Sequence, residues 1–234
     1  MISIPTTPRV ASTFHPVTSP RRPSSVGARH LAASLALSGA LAGAGCGGSS
    51  TAADAATTDT AGGESASIVG AWRSACLPQG EAQSFSLDFD ITASRWSLDY
   101  DVFGDASCGA AFLTMHIEGP YEIGGASAVE GAREARFGFD RKTITAHAEG
   151  AAGYLGSLEG CGDGAFVVGE AEDISITGCA ALGQRPIASC AQDYDLVAVD
   201  ATSLRFGARP ADNDLCTPSA RPTSLSPLAM SRAE

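Results

Sequence analysis

Ser84-Phe-Ser-Leu-Asp-Phe-Asp-Ile-Thr-Ala-Ser-Arg-Trp-Ser-Leu-Asp-Tyr-Asp-Val102 decides the fold. Phe85, Leu87, Phe89 and Ile91 alternate with Ser84, Ser86, Asp88 and Asp90. Beyond the turn Thr92-Ala-Ser-Arg95, Trp96, Leu98, Tyr100 and Val102 alternate with Ser97, Asp99 and Asp101. Period-two alternation over two such runs means two half-buried antiparallel strands. The turn sets Ile91 opposite Trp96, Phe89 opposite Leu98 and Leu87 opposite Tyr100, which puts every large apolar side chain on one face. Slipping by one residue would turn all of them into water, so the register is well specified.

Working outward, the same pattern recurs. Leu113, Met115 and Ile117 alternate with Thr114, His116 and Glu118, and Tyr121 and Ile123 continue that face after Gly119-Pro120. Ala135, Phe137 and Phe139 alternate with Glu134, Arg136 and Asp140. Tyr194-Asp-Leu-Val-Ala-Val199 and Ser203-Leu-Arg-Phe206 flank Asp200-Ala-Thr as a second hairpin, and Ile68 to Ser74 reads as the first strand. Ala148 to Leu158, with Ala152, Leu155 and Leu158 at helical spacing, is the one expected helix, short and weakened by Gly150, Gly153 and Gly156. Many short strands at even spacing predict an all-β antiparallel barrel or sandwich. Gly70-Ala-Trp72 resembles the opening of lipocalins, whose tryptophan closes the barrel bottom under an arginine. Arg205 is the expected cation–π partner here.

Leu31 to Cys46 is uncharged, apolar and small, and follows Arg29-His30. A basic lead, a short apolar core and small residues before a cut describe an export signal. The segment is too short and too rich in Ala and Gly for a membrane span. Its end, Ala44-Gly-Cys46, resembles a bacterial lipoprotein signal in which Cys46 is lipidated and becomes the new amino terminus, although Gly43 stands where such signals usually carry Leu, Ile or Val. Residues 1–25 are a long lead for such a signal, one that a start at Val26 would remove. Gly47 to Ser67 is Gly, Ser, Thr and Ala with three acids and no aromatic residue, a composition expected of a disordered tether. The expected organisation is a signal over 1–45, a tether over 46–67, one domain over 68–230 and a tail over 231–234. Gly47-Gly48 after the cysteine resembles outer-membrane sorting, so an extracytoplasmic lipoprotein of the outer membrane or cell surface is expected.

Removing 1–45 takes away Arg9, Arg21, Arg22 and Arg29 and no acid. That leaves 11 of 15 Lys+Arg against 26 Asp+Glu, a formal charge of −15. Such a balance argues against nucleic acid and against electrostatic attraction to anionic lipid, so any anchor has to be covalent. Beyond Cys46 stand six cysteines: Cys76, Cys108, Cys161, Cys179, Cys190 and Cys216. An even count in an exported chain reads as disulfides, with fifteen pairings open.

No C-x-x-C occurs, and His116 and His147 stand alone, so no metal or cofactor is expected. Asp88, Asp90, Asp99 and Asp101 share the polar face of the first hairpin, with Asp88 opposite Asp99. Their repulsion calls for solvation, a neighbouring arginine such as Arg95, or a cation. Carboxylates two apart on twisted strands converge poorly, which argues against the cation. The G-x-S-x-G elbow is missing, and Gly160-Cys-Gly-Asp-Gly164 lacks the context and lysine of a phosphate loop, so no enzymatic activity is expected.

Gly70-x-Trp72-x-Ser74-x-Cys76, Gly104-Asp-x-x-Cys108 and Phe112-Leu-Thr114 resemble the domain of the adenomatosis polyposis coli down-regulated protein. So do Gly131-Ala-Arg-Glu134, Thr145-Ala-His-Ala-Glu-Gly-Ala-Ala152, Leu155-Gly-Ser-Leu158, Cys161-Gly162, Val168-Gly-Glu-Ala-Glu-Asp173, Gly178-Cys-Ala-Ala-Leu-Gly183 and Arg209-Pro-Ala-Asp212, which fall in the family's order. The resemblance runs from about Ile68 to Met230. It implies a disulfide-stapled, half-open antiparallel barrel with an apolar cavity. Animal members are membrane-anchored Wnt antagonists thought to take up the acyl chain on Wnt, and they carry the domain twice. What carries over to a single domain behind a bacterial-type signal is the capacity to hold an acyl chain. Cys76, Cys108, Cys161 and Cys179 match the family's cysteines, whereas Cys190 and Cys216 are additional. The resemblance thus implies Cys76–Cys108, Cys161–Cys179 and Cys190–Cys216. Phe89, Leu98, Tyr100, Leu113, Met115 and Phe137 are the candidate ligand-lining residues. The expected function is a binding module for an apolar or acylated ligand. The alternative is a filled barrel that binds protein or glycan through its loops. A cavity on the order of 300 Å³ or more separates the first from the second.

Overall fold

A computed structural model describes residues 67–233. The signal over 1–45, Cys46 and all but the last residue of the tether lie outside the described residues. Eleven strands and one helix follow in order: β1 Gly70–Arg73, β2 Leu77–Gln79, β3 Gln83–Ile91, β4 Arg95–Phe103, β5 Ala111–Ala126, β6 Arg133–Gly138, β7 Arg141–Ala146, α1 Glu149–Gly156, β8 Ala171–Asp173, β9 Gln192–Val199, β10 Ser203–Phe206 and β11 Met230–Arg232.

Eight of the strands close a ring, β3-β1-β11-β10-β9-β6-β5-β4 and back to β3, with every neighbour antiparallel. The β3–β4 hairpin has the expected register, with Ile91 opposite Trp96, Phe89 opposite Leu98 and Leu87 opposite Tyr100. Their side chains are buried inside the ring. The second hairpin, β9–β10, also forms as expected, its turn held by Asp200 accepting from the Thr202 and Ser203 amides.

The barrel departs from uniformity at one place, where β5 changes partners. Its first half pairs with β7 over Leu113–Glu118 and its second half with β6 over Tyr121–Ala126. Strands β6 and β7 therefore follow one another along a single edge of β5, and between them Gly138-Phe139-Asp140 bends the chain. Backbones meet closely here: a side chain on Gly119 would strike the Gly138 carbonyl, which accepts from the Trp96 indole at 3.0 Å. From this point β6 goes on to β9 and closes the ring, while β7 leaves it to pair with β8. The expected half-open barrel is thus a closed ring with a fork in its wall.

Three disulfides staple the domain: Cys76–Cys108, Cys161–Cys179 and Cys190–Cys216. Helix α1 lies within the expected Ala148–Leu158 and buries Ala151, Ala152 and Leu155. The wall strand β7 was not expected. Its sequence, Arg-Lys-Thr-Ile-Thr-Ala, hides its alternation because a lysine occupies an inward position. The expected tail over 231–234 begins inside β11, which joins β1 to β10.

The cation on Trp72 is Arg232 of β11, 4.3 Å above the ring, and not Arg205. Arg205 stands opposite Ala198 on the outer face and is exposed. Arg232 is opposite Trp72 in the ladder, and its guanidinium also donates to the Val69 and Ser67 carbonyls.

Candidate functional site

Period-two alternation carries charge into the barrel at the fork. On β7, Lys142, Ile144 and Ala146 stand opposite Ile117, Met115 and Leu113, so the inward stripe begins with a lysine. On β9, Asp193 and Asp195 stand opposite Phe137 and Ala135 and share the inward stripe with Val197. Among the described residues no strand bridges β7 to β9. The segment 183–190 and the loop after β10 lie there instead, and they bring Arg185 and Arg209 to the same cleft.

The acids are matched to Arg209. Its guanidinium lies 2.6 Å from Asp193 and 3.7 Å from Asp195, and donates to Asn213 Oδ1 at 3.0 Å. Asp195 Oδ1 also accepts from the Leu196 and Gly207 amides at 2.7 and 3.0 Å. Burial pushes the Asp195 carboxyl up, against the pull of Arg209 and the Leu196 amide. Burial works against the charge on Arg209 too, but the two carboxylates outweigh it and hold the guanidinium charged.

Lys142 is placed differently. It is 3% exposed, and its Nζ donates to the Arg185 carbonyl at 3.2 Å and sits 4.0 Å from the centre of the Phe139 ring. Among the described residues it forms no ion pair, and Asp193 acts on it only from further off. Burial lowers its pKa to about 8, with the Asp193 charge opposing and the Arg209 charge adding to the shift.

Facing these charges is a chain of aromatic rings. Phe139 lies 6.1 Å from Trp96, Trp96 5.2 Å from Phe137, Phe137 5.4 Å from Phe206 and Phe206 4.8 Å from Phe89. Between rings and charges is a cavity of about 80 Å³. That is room for roughly five to eight water-sized groups and less than an open acyl cavity requires. Most of the barrel is therefore solid core. Elsewhere a wider open depression of about 360 Å³ lies between Ile68, Tyr121, Ile123, Val197, Val199 and the exposed Arg133. None of those residues offers a buried charge to orient a ligand.

Of the six expected lining residues, Phe89, Leu98 and Phe137 border the fork cavity. Tyr100, Leu113 and Met115 pack in the core beyond it, and Tyr100 stacks on Phe85 with centroids 5.4 Å apart. Lys142, Asp193, Asp195 and Arg209 were not singled out from the sequence. The usable signal was charge at inward positions of otherwise apolar stripes, Lys142 with Ile144 and Asp193 with Val197. Arg209 comes from a loop and left no such signal.

On the outer face Asp88 stands opposite Asp99, as expected. Arg73 pairs with Asp88, and His116 pairs with Asp99 at 2.6 Å. Arg95 turns instead to Asp140 at 2.8 Å. Cys190, Asp193 and Cys216 cluster closely enough to suggest a metal, but both sulfurs are joined in a disulfide and offer no thiolate. No family model matches the chain, and a search of curated proteins finds no match.

Proposed function

We propose that this protein is a lipid-anchored extracytoplasmic binding module whose fork cleft holds the end of an amphipathic ligand, an acyl chain or a body of similar chemistry. The observation that carries the reading is a cavity with contiguous aromatic rings on one side and buried charged groups on the other. Ligand sites are concave and mostly apolar, with a few convergent polar groups that set orientation. The apolar part would lie against Phe89, Phe137 and Phe206, with the polar end toward Lys142. The cavity takes about five to eight non-hydrogen atoms, so the rest of a longer chain would occupy the open mouth of the cleft. Anchoring through Cys46 rests on the Leu31–Cys46 segment, and three disulfides fit an oxidising compartment.

Displacement of a fluorescent fatty acid from the mature chain by straight-chain acids of increasing length tests the cleft. Each added CH₂ should contribute about 0.8 kcal/mol until the closed room is full, after which the gain should flatten. A barrel this full also supports a second reading, that of a surface interaction protein working through its loops. Intact protein with no uptake at micromolar ligand would favour it. For the anchor, Cys46→Ser should move the protein from the membrane to the soluble fraction.

A further inference from the structure

Lys142 is the chain's single lysine against fourteen arginines, and the register of β7 aims it into the cleft. Arg209, not Lys142, is the cation in ion-pair contact with Asp193 and Asp195 there. An unpaired buried ammonium is a poor structural cation, because desolvation disfavours its charge and no carboxylate returns the loss. What lysine offers and arginine lacks is a nitrogen lone pair at accessible pH. That nitrogen stands at the Phe139 end of the ring chain.

We propose that Lys142 captures an apolar aldehyde as an imine, with the aldehyde's body held among Phe139, Trp96, Phe137 and Phe206. The inference rests on the fork cleft being the ligand site. The Nζ lone pair forms a bond to the carbonyl carbon while the C=O π pair moves to oxygen. Both amine hydrogens then leave with that oxygen as water, and a C=N bond remains. No oxidant or reductant is needed. Burial leaves roughly a quarter of Lys142 neutral at pH 7.5, against about one in a thousand for an exposed lysine. The charged groups facing Nζ are Asp193 and Asp195 from β9, Arg209 after β10 and Arg185 from the fork segment. Of these, Asp193 favours a protonated imine and Arg209 opposes it. The cavity matches a compact aldehyde such as benzaldehyde, with its eight non-hydrogen atoms.

The test uses the mature chain carrying Cys46→Ser and Arg205→Lys, the second change placing a reference amine on the exposed outer face. Benzaldehyde at pH 7.5 with cyanoborohydride traps any imine, and peptide mass spectrometry reads the benzyl group at each lysine and at the amino terminus. Lys142 should label at least tenfold faster than the reference amine, and the advantage should vanish in guanidinium. Labelling of Lys142 no faster than the reference, or labelling confined to the amino terminus, overturns the inference. Fatty-acid uptake is measured on the same sample. Uptake without an imine refutes the lysine chemistry alone, whereas loss of both refutes the site as well.

Discussion

Replacing Lys142 with methionine should make the domain more stable at neutral pH and remove a pH dependence that the wild type carries. Lysine in the unfolded chain titrates near 10.5, and in the folded barrel near 8. The unfolded state therefore binds more protons between those values, and stability rises with pH through that window. Below about pH 7 both states are protonated and the full penalty, roughly 3 kcal/mol, is present. By pH 9.5 about 2 kcal/mol of it should be relieved. Methionine keeps the volume and carries no charge, but it leaves the Arg185 carbonyl without its donor, a loss of about 1–2 kcal/mol. At pH 7 the variant should thus gain about 1–2 kcal/mol, and near pH 9.5 the gain should fall to about zero. Guanidinium unfolding with the disulfides intact, in a Cys46→Ser background at pH 7 and 9.5, measures both values. Taking the difference between variant and wild type subtracts Asp193, Asp195, Arg209 and Arg185, which the two share. A difference that is the same at both pH values would refute the argument that Lys142 is buried as a strained cation.

The opposite sign is expected at the neighbouring cation. Arg209→Met leaves Asp193 and Asp195 buried without their partner and should cost about 3–5 kcal/mol at pH 7 in the same unfolding assay. The loss should shrink at low pH, as the Asp195 carboxyl, pushed up by burial, takes up a proton. Gly119→Ala should cost about 3 kcal/mol, because the new Cβ meets the Gly138 carbonyl in a wall that has no room to move. Thermal melts should show it as a clear fall in Tm, with an exposed glycine such as Gly125 changed to Ala as the neutral control. Removing the Cys76–Cys108 bridge by double alanine substitution frees a loop of 32 residues and should cost about 3–4 kcal/mol if chain entropy dominates. Peptide mapping without reduction should then show the other two bridges unchanged.

Charge inside this barrel is held in two contrasting ways. Arg209, Asp193 and Asp195 form a matched set in which each group offsets the desolvation of the others. Lys142, a few residues from the point where β6 and β7 part, has only a carbonyl and a ring. The first arrangement closes the fork. The second leaves a reactive nitrogen beside an apolar cavity, which is why the two substitutions are expected to act in opposite directions.

Sequence by itself determined the parts of this protein whose physics is local. Two eight-residue alternations and a short turn specify the β3–β4 register, since a one-residue slip turns a strand's four large apolar side chains to the wrong face. Recurrent alternation and an even cysteine count specify a stapled β domain, and helical spacing with no competing alternation marks α1. Only the tertiary structure decided the fork. Whether β5 pairs with β6 or β7 depends on where Gly119 and Gly138 let two backbones cross, a contact between distant residues that no window of sequence contains. The same crossing determined which charges lie inside. Lys142 and Asp193 look solvent-bound in a local pattern, and they become buried because long-range pairing assigns their positions to the inner face.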